Sequence, residues 1–154
     1  MTAPVFVDTN IFVYRFDTAD EEKRQHSRLW LDRLWESRLG RLSRQVQHEL
    51  YVTLAHKLGM PRDEARRIVG ALEAWQPHSL DGSDIDAAWR IEDRWSISWW
   101  DALIVAAAMR CGARTLLTED LQHGQGFDGL VVVNPFREDP PAHLAVHEPG
   151  LTSD

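Results

Sequence analysis

The chain of 154 residues is 44% hydrophobic, holds seven tryptophans and carries a net charge of −7, enough apolar material for one sizeable core in a single domain. No window approaches the roughly 18 apolar residues of a membrane span, and Asp8 and Asp17 interrupt the N-terminus before a secretory core could form, so the expected location is the cytoplasm. The single cysteine, Cys111, excludes an intrachain disulfide and fits a reducing compartment.

Negative charge argues against a polyanionic partner, because binding to a phosphate backbone is mostly electrostatic. The distribution argues otherwise. Residues 23–67 hold eleven Lys or Arg against five Asp or Glu, a local +6 that leaves −13 on the rest of the chain. That asymmetry suits one face to a polyanion or an acidic partner, or else reflects ordinary solvated helix faces.

In chain order, Val5-Phe6-Val7 is a continuous apolar run of the kind found in a parallel strand buried on both faces. Thr18-Ala-Asp-Glu21 has capping-box spacing and opens a helix whose apolar side includes Trp30, Leu31, Leu34 and Trp35. Ser43 can cap a second helix with Val46, Leu50, Leu54 and Leu58 at four-residue intervals, ending at Gly59. Pro61 suits the first turn of a third, with Asp63 and Glu64 at its positive end and Ile68, Val69 and Leu72 facing inward. A fourth runs from about 84 to 95. The last long one, 99–111, is apolar nearly all round and stops at Gly112, so it should be the most buried helix. Thr115-Leu116-Leu117 and Leu130-Val131-Val132-Val133 read as two further buried strands. Strands alternating with helices imply one compact α/β domain over residues 1–136 with a parallel sheet and right-handed crossovers. Residues 137–154, acidic and rich in Pro, read as a loose extension.

Four acids fall at informative places. Asp8 directly follows the first strand, at the sheet edge where open parallel sheets bind ligands, although Asp8 or Asn10 can equally cap the next helix. Asp101 is the only ionisable residue between Trp95 and Arg110 and opens an apolar helix, with Ser98 three residues earlier as a capping partner. Asp120 closes "TLLTED" just past another strand, on the same edge as Asp8; an Asx-turn explains it in isolation, and Glu119 beside it reads as a solvated neighbour. Glu49 borders the apolar stripe of the second helix between Gln45 and Thr53, a position that alone signals nothing. Together the acids can converge on one crevice. Carboxylates about 4 Å apart repel by roughly 4 kcal/mol at an effective dielectric of 20, which a fold seldom tolerates without a cation. Oxygen ligands without His or Cys select Mg²⁺ or Mn²⁺ over zinc.

Competing motifs fail. "HELYVTLAH" begins like a zincin helix but has Val52 where the second His belongs, and neither a G-x-x-x-x-G-K-[ST] loop nor G-x-G-x-x-G occurs. A haloacid-dehalogenase reading of "DTN" lacks the second Asp, since Asn10 stands there.

The stretches "VFVDTNIFVY", "LSRQVQHELYVTLAHK", "SISWWDALIVAAA" and "ARTLLTEDLQHGQGFDGLVVVNPF", in this order, resemble the PIN-domain ribonucleases, in particular the VapC-type toxins of bacterial toxin-antitoxin pairs. The resemblance implies a three-layer α/β/α sandwich around a mainly parallel sheet. It makes Asp8, Asp101 and Asp120 metal ligands, with Glu49 acting through water, and gives Thr9, Asn10 and Thr118 the role of orienting those carboxylates. It further implies one or two Mg²⁺ or Mn²⁺ ions, hydrolysis of RNA (tRNA or ribosomal RNA), neutralisation by a cognate antitoxin, and a homodimer. Arg15 and Arg44 are candidates for contacts to flanking phosphates. Trp99 and Trp100 invite base stacking, but adjacent helical positions point about 100° apart, so at least one belongs to the core. The competing expectation is a PIN-like module that keeps the fold and has lost catalysis.

Overall fold

The computed structural model describes residues 3–144. Five strands form one sheet in the order β2-β1-β3-β5-β4. The strands read from the sequence have the bounds expected: β1 is Val5–Val7, β3 is Thr115–Leu117 and β5 is Leu130–Val133. β1 lies parallel to β3 with Val5 opposite Thr115 and Val7 opposite Leu117, and β3 lies parallel to β5. β1 is buried throughout, as a central parallel strand should be. β5 departs from that expectation: Leu130 and Val132 are buried while Val131 is exposed, so one face of the sheet is open there.

Two short strands were not legible as apolar runs. β2 is Gly40–Arg41, parallel to β1. Any Cβ on Gly40 would overlap the Trp75 indole, so only glycine allows that close approach. β4 is Gly126–Phe127, antiparallel to β5 across the two-residue loop Asp128-Gly129. Both loop residues have positive φ, 48° and 96°, as a type I′ hairpin requires.

Among the described residues six α-helices complete the α/β sandwich: α1 Thr9–Phe16, α2 Glu21–Ser37, α3 Arg44–Val52, α4 Arg62–Ala71, α5 Gly82–Trp95 and α6 Trp99–Arg110. α6 buries every residue from Ala102 to Ala108, in keeping with its all-round apolar pattern. Ser43 caps α3 by accepting a hydrogen bond from the Val46 N–H. The start of α2 corrects the reading from spacing. Asp20, not Thr18, is the N-cap, accepting from the Lys23 N–H at 3.1 Å, in keeping with the higher rank of Asp over Thr as a cap. Trp35, expected inward, is 47% exposed and leans on Trp75 at 6.1 Å. A π-helical turn, Thr53–Lys57, follows α3. Its wider winding breaks the four-residue stripe after the buried Leu54, leaving Leu58 at 38% exposure.

Of the extension from 137 onward, residues 137–144 are described; most are exposed, and two contacts tie the segment to the domain. Trp30 Nε1 donates to the Glu138 carbonyl at 2.9 Å and Leu144 is buried. A tryptophan N–H inside an otherwise apolar helix face needs such an acceptor, a requirement invisible in the composition of the segment. Residues 145–154 lie outside the described part. Among the described residues no helix is long and apolar enough to cross a membrane.

Candidate active site

The strand order reverses between β1 and β3, because the chain leaves β1 for β2 on one side and reaches β3 on the other. Such a switch point opens a crevice at the carboxyl ends of the strands. Asp8 follows β1 there, its N–H still bonded to the Leu117 carbonyl at 3.0 Å, and Thr118, Glu119 and Asp120 follow β3.

The capping and ligand readings of Asp8 do not compete. It is the N-cap of α1, with one carboxylate oxygen accepting from the Thr9 N–H at 2.8 Å and the other from Thr118 Oγ1 at 2.8 Å. The group is 7% exposed. Burial pushes its carboxyl up to about 6; the bonds from Thr118 and Thr9 pull it back, and the charges of Asp120 and Glu49 push it further up.

Thr9 and Asn10 distribute the remaining acids. Thr9 Oγ1 donates to Glu49 at 2.7 Å, and Gln45 Nε2 holds the other Glu49 oxygen at 3.0 Å from one turn earlier in α3. Asn10 Nδ2 donates to Asp120 at 2.8 Å. Thr118, fully buried, donates to Asp8 and accepts from the Asp120 N–H at 3.1 Å, so one hydroxyl fixes two acids. The Asp120 carboxyl is also raised, first by burial, against the Asn10 bond and with the charges of Asp101, Glu119 and Glu49. Asp101 occupies the N3 position of α6, its N–H bonded to Ser98 Oγ at 3.1 Å. It stands outside the lining of the cleft but close enough for its charge to act on Asp120. The cleft of about 350 Å³ has Asp8, Glu49 and Asp120 in its walls, joined by Tyr14 and by Asp17, an acid that the spacing argument had passed over.

The residues present suit a hard divalent cation. The donors are all oxygen, the carboxylates raise one another's affinity for a proton, and Asn10 Oδ1 is buried without a hydrogen-bond partner. Among the described residues no three acids, histidines or cysteines stand close enough to grip one ion directly.

Both arginines considered for phosphate contacts are engaged elsewhere. Arg15 pairs with Asp32 at 2.7 Å on the far side of α1, and Arg44 pairs with Glu73 while donating to Gln47 at 2.7 Å. The sequence could not reveal these partners, which lie 17 and 29 positions away. One cation beside the site is Lys23, bonded to Glu119 at 2.8 Å. Trp99 is half-buried, 6.2 Å from Trp89, whereas Trp100 is 65% exposed.

The PIN domain family pattern matches residues 5–125. Among solved structures, a toxin-antitoxin complex from Klebsiella pneumoniae superposes with a TM-score of 0.63 at 22% identity, covering 86% of this chain and 98% of that one. The Mycobacterium tuberculosis toxin VapC20, described as cleaving the sarcin-ricin loop, superposes with a TM-score of 0.55 at 20% identity over 73% of this chain and 86% of its own. Among curated proteins none matches. With the family pattern running from β1 through the acids of α3 and α6 to the loop beyond β3, the chain belongs to the PIN domain family.

Proposed function

We propose that this protein is a Mg²⁺- or Mn²⁺-dependent endoribonuclease, the toxin of a toxin-antitoxin pair acting in the cytoplasm. The observation that carries this reading is the convergence of Asp8, Glu49 and Asp120 in one cleft at the switch point, with Asp101 acting on Asp120 from α6. In this reading Asp8 and Asp120 face the cation from the cleft, Asp101 reaches it from α6 through water, and Glu49 also acts through water. A divalent cation bound there supplies Lewis-acid stabilisation for charge developing on a phosphodiester. Thr9, Asn10 and Thr118 keep the carboxylates oriented, which limits reorganisation when substrate arrives. The two solved neighbours, one a toxin-antitoxin complex and one a toxin described as cleaving the sarcin-ricin loop, support the same reading.

The partner of opposite function is a cognate antitoxin. An apolar groove of about 320 Å³ between α1, α2 and α4, lined by Phe12, Phe16, Leu31, Trp35 and Trp75, is a surface such a peptide can cover. A homodimer belongs to the reading as well and is checked by sedimentation of the purified chain.

The test is incubation of purified protein, free of antitoxin, with total RNA and Mg²⁺ or Mn²⁺, beside an EDTA control and Asp8→Asn. Discrete fragments that vanish in both controls support the nuclease. RNA left intact under every metal, with harmless expression in cells, overturns it in favour of a binding module.

A further inference from the structure

Two adjacent acids follow β3, and of these Asp120 lines the cleft while Glu119 does not. Glu119 is not a solvated neighbour of Asp120: its side chain is 20% exposed and tied down from two elements. Tyr14, on α1, donates its hydroxyl to one carboxylate oxygen. Lys23, in the first turn of α2, donates to the other at 2.8 Å. The same ammonium stands 4.7 Å from the centre of the Tyr14 ring and 5.1 Å from that of Phe136, and those rings meet edge to face at 5.2 Å. Lys23 therefore sits among two aromatic faces and a carboxylate, an arrangement that holds a cation well when partly desolvated.

The neighbouring acid is pulled the opposite way. Asp120 is held by Asn10 at 2.8 Å, and its own N–H is held by Thr118. Tyr14 is shared, since its ring also walls the cleft. One short loop thus has Glu119 drawn toward α2 and Asp120 drawn toward the amino end of α1.

We propose that Tyr14, Lys23 and Phe136 form a clamp that withholds Glu119 from the cleft and so positions Asp120 as the acid of the pair that faces the cation. This rests on the reading of the cleft as a metal-dependent nuclease site. Lys23 is a positioning residue, acting through Glu119 and touching neither substrate nor ion.

Charge alone predicts the opposite sign. Deleting a positive charge beside the acids strengthens their attraction for a divalent cation. Loss of a clamp weakens it, because the released Glu119 carboxylate turns toward the cleft and displaces Asp120 from the cation.

Mn²⁺ binding to the purified full chain in the absence of RNA, followed by electron paramagnetic resonance of the free ion, reads that sign directly. Lys23→Met, which keeps an apolar stem between the rings, is expected to weaken Mn²⁺ binding about tenfold, the low end for residues that orient metal ligands. Adding Glu119→Gln to that variant removes the released acid and returns binding to within a few-fold of wild type. Tyr14→Phe, which deletes a single hydroxyl, weakens binding in the same direction and serves if Lys23→Met does not fold. Lys23→Met or Tyr14→Phe binding Mn²⁺ as tightly as wild type, or more tightly, overturns the clamp. A wild-type chain that binds no Mn²⁺ and cleaves no RNA removes the nuclease reading and the clamp with it, so the two failures are distinguishable.

Discussion

Helix α1 divides two concavities of similar size and opposite chemistry. Thr9, Asn10, Val13 and Tyr14, with Asp17 at its C-cap, wall the acidic cleft of about 350 Å³; Phe12, Arg15 and Phe16 wall the apolar groove of about 320 Å³. A helix advances about 100° per residue, so these two sets are its opposite faces. On the groove side the charge that α1 carries is paired, Arg15 with Asp32. On the cleft side they are not: acids push up one another's protonation, and the polar groups between them orient carboxylates without cancelling their charge. One face is built to be covered by apolar surface, the other to take positive charge. Apolar packing is concentrated on the first and like-charge repulsion on the second, the usual division between a packed element and a functional site.

Substitution on the groove face tests this contrast most severely. Phe12, 4% exposed and 5.6 Å from Trp75, bridges the core and the groove. Phe12→Ala should lower the unfolding free energy by about 3–5 kcal/mol in urea titrations, with Mn²⁺ affinity of the remaining folded fraction little changed. On the cleft face the order inverts. Asp8→Asn should reduce metal-dependent RNA cleavage by about 10²–10³-fold, several kcal/mol of transition-state stabilisation, while the fold without metal is retained or gains stability. An Asp8→Asn chain that unfolds instead would make that residue a structural cap and nothing more.

A pH series sharpens the same point. The Asp8 carboxyl stands at about 6 in the folded chain against an ordinary 3.8, so the cation-free fold binds this proton more tightly than the unfolded chain does. The resulting stability is complete below about pH 4 and is lost as pH rises through 6. In EDTA, wild type should lose about 1–3 kcal/mol between pH 4.5 and 7.5 relative to Asp8→Asn, measured by denaturant melts at each pH. Excess Mg²⁺ should shrink that difference, since the ion takes the place of the proton. The smallest effect belongs to Arg15→Ala. A half-exposed ion pair contributes under about 1 kcal/mol, and because Arg15 faces the groove, RNA cleavage should stay close to wild type. A large loss of cleavage would return Arg15 to the substrate side and blur the division that α1 draws.

The legible parts of this molecule share a physical basis. β1, β3 and β5 are short apolar runs ended by polar residues, and Val5–Val7 has no lower-energy place than the middle of a sheet. The Asp128-Gly129 pair is a hairpin signal that the apolar pattern left unread, because β4 has only two residues and no alternation to announce it. β2 was not readable at all, because Gly40 and Arg41 form a strand only by lying beside β1 under the Trp75 ring. Within the site, Asp8 and Asp120 could be placed on one sheet edge from the strands that precede them. Glu49 could not, for its carboxylate is brought in by a hydrogen bond from Thr9, 40 positions earlier.

Local sequence decided where each strand ends and therefore which acids stand at the carboxyl edge, because the switch from apolar to polar residues is also the switch from buried ladder to solvated loop. Tertiary structure alone decided the partners of the charges. Arg15 met Asp32, Arg44 met Glu73, and Lys23 met Glu119 across 96 positions. A long side chain's direction depends on which opposite charge the packing of helices brings within its reach, and the chain order carries no record of that distance.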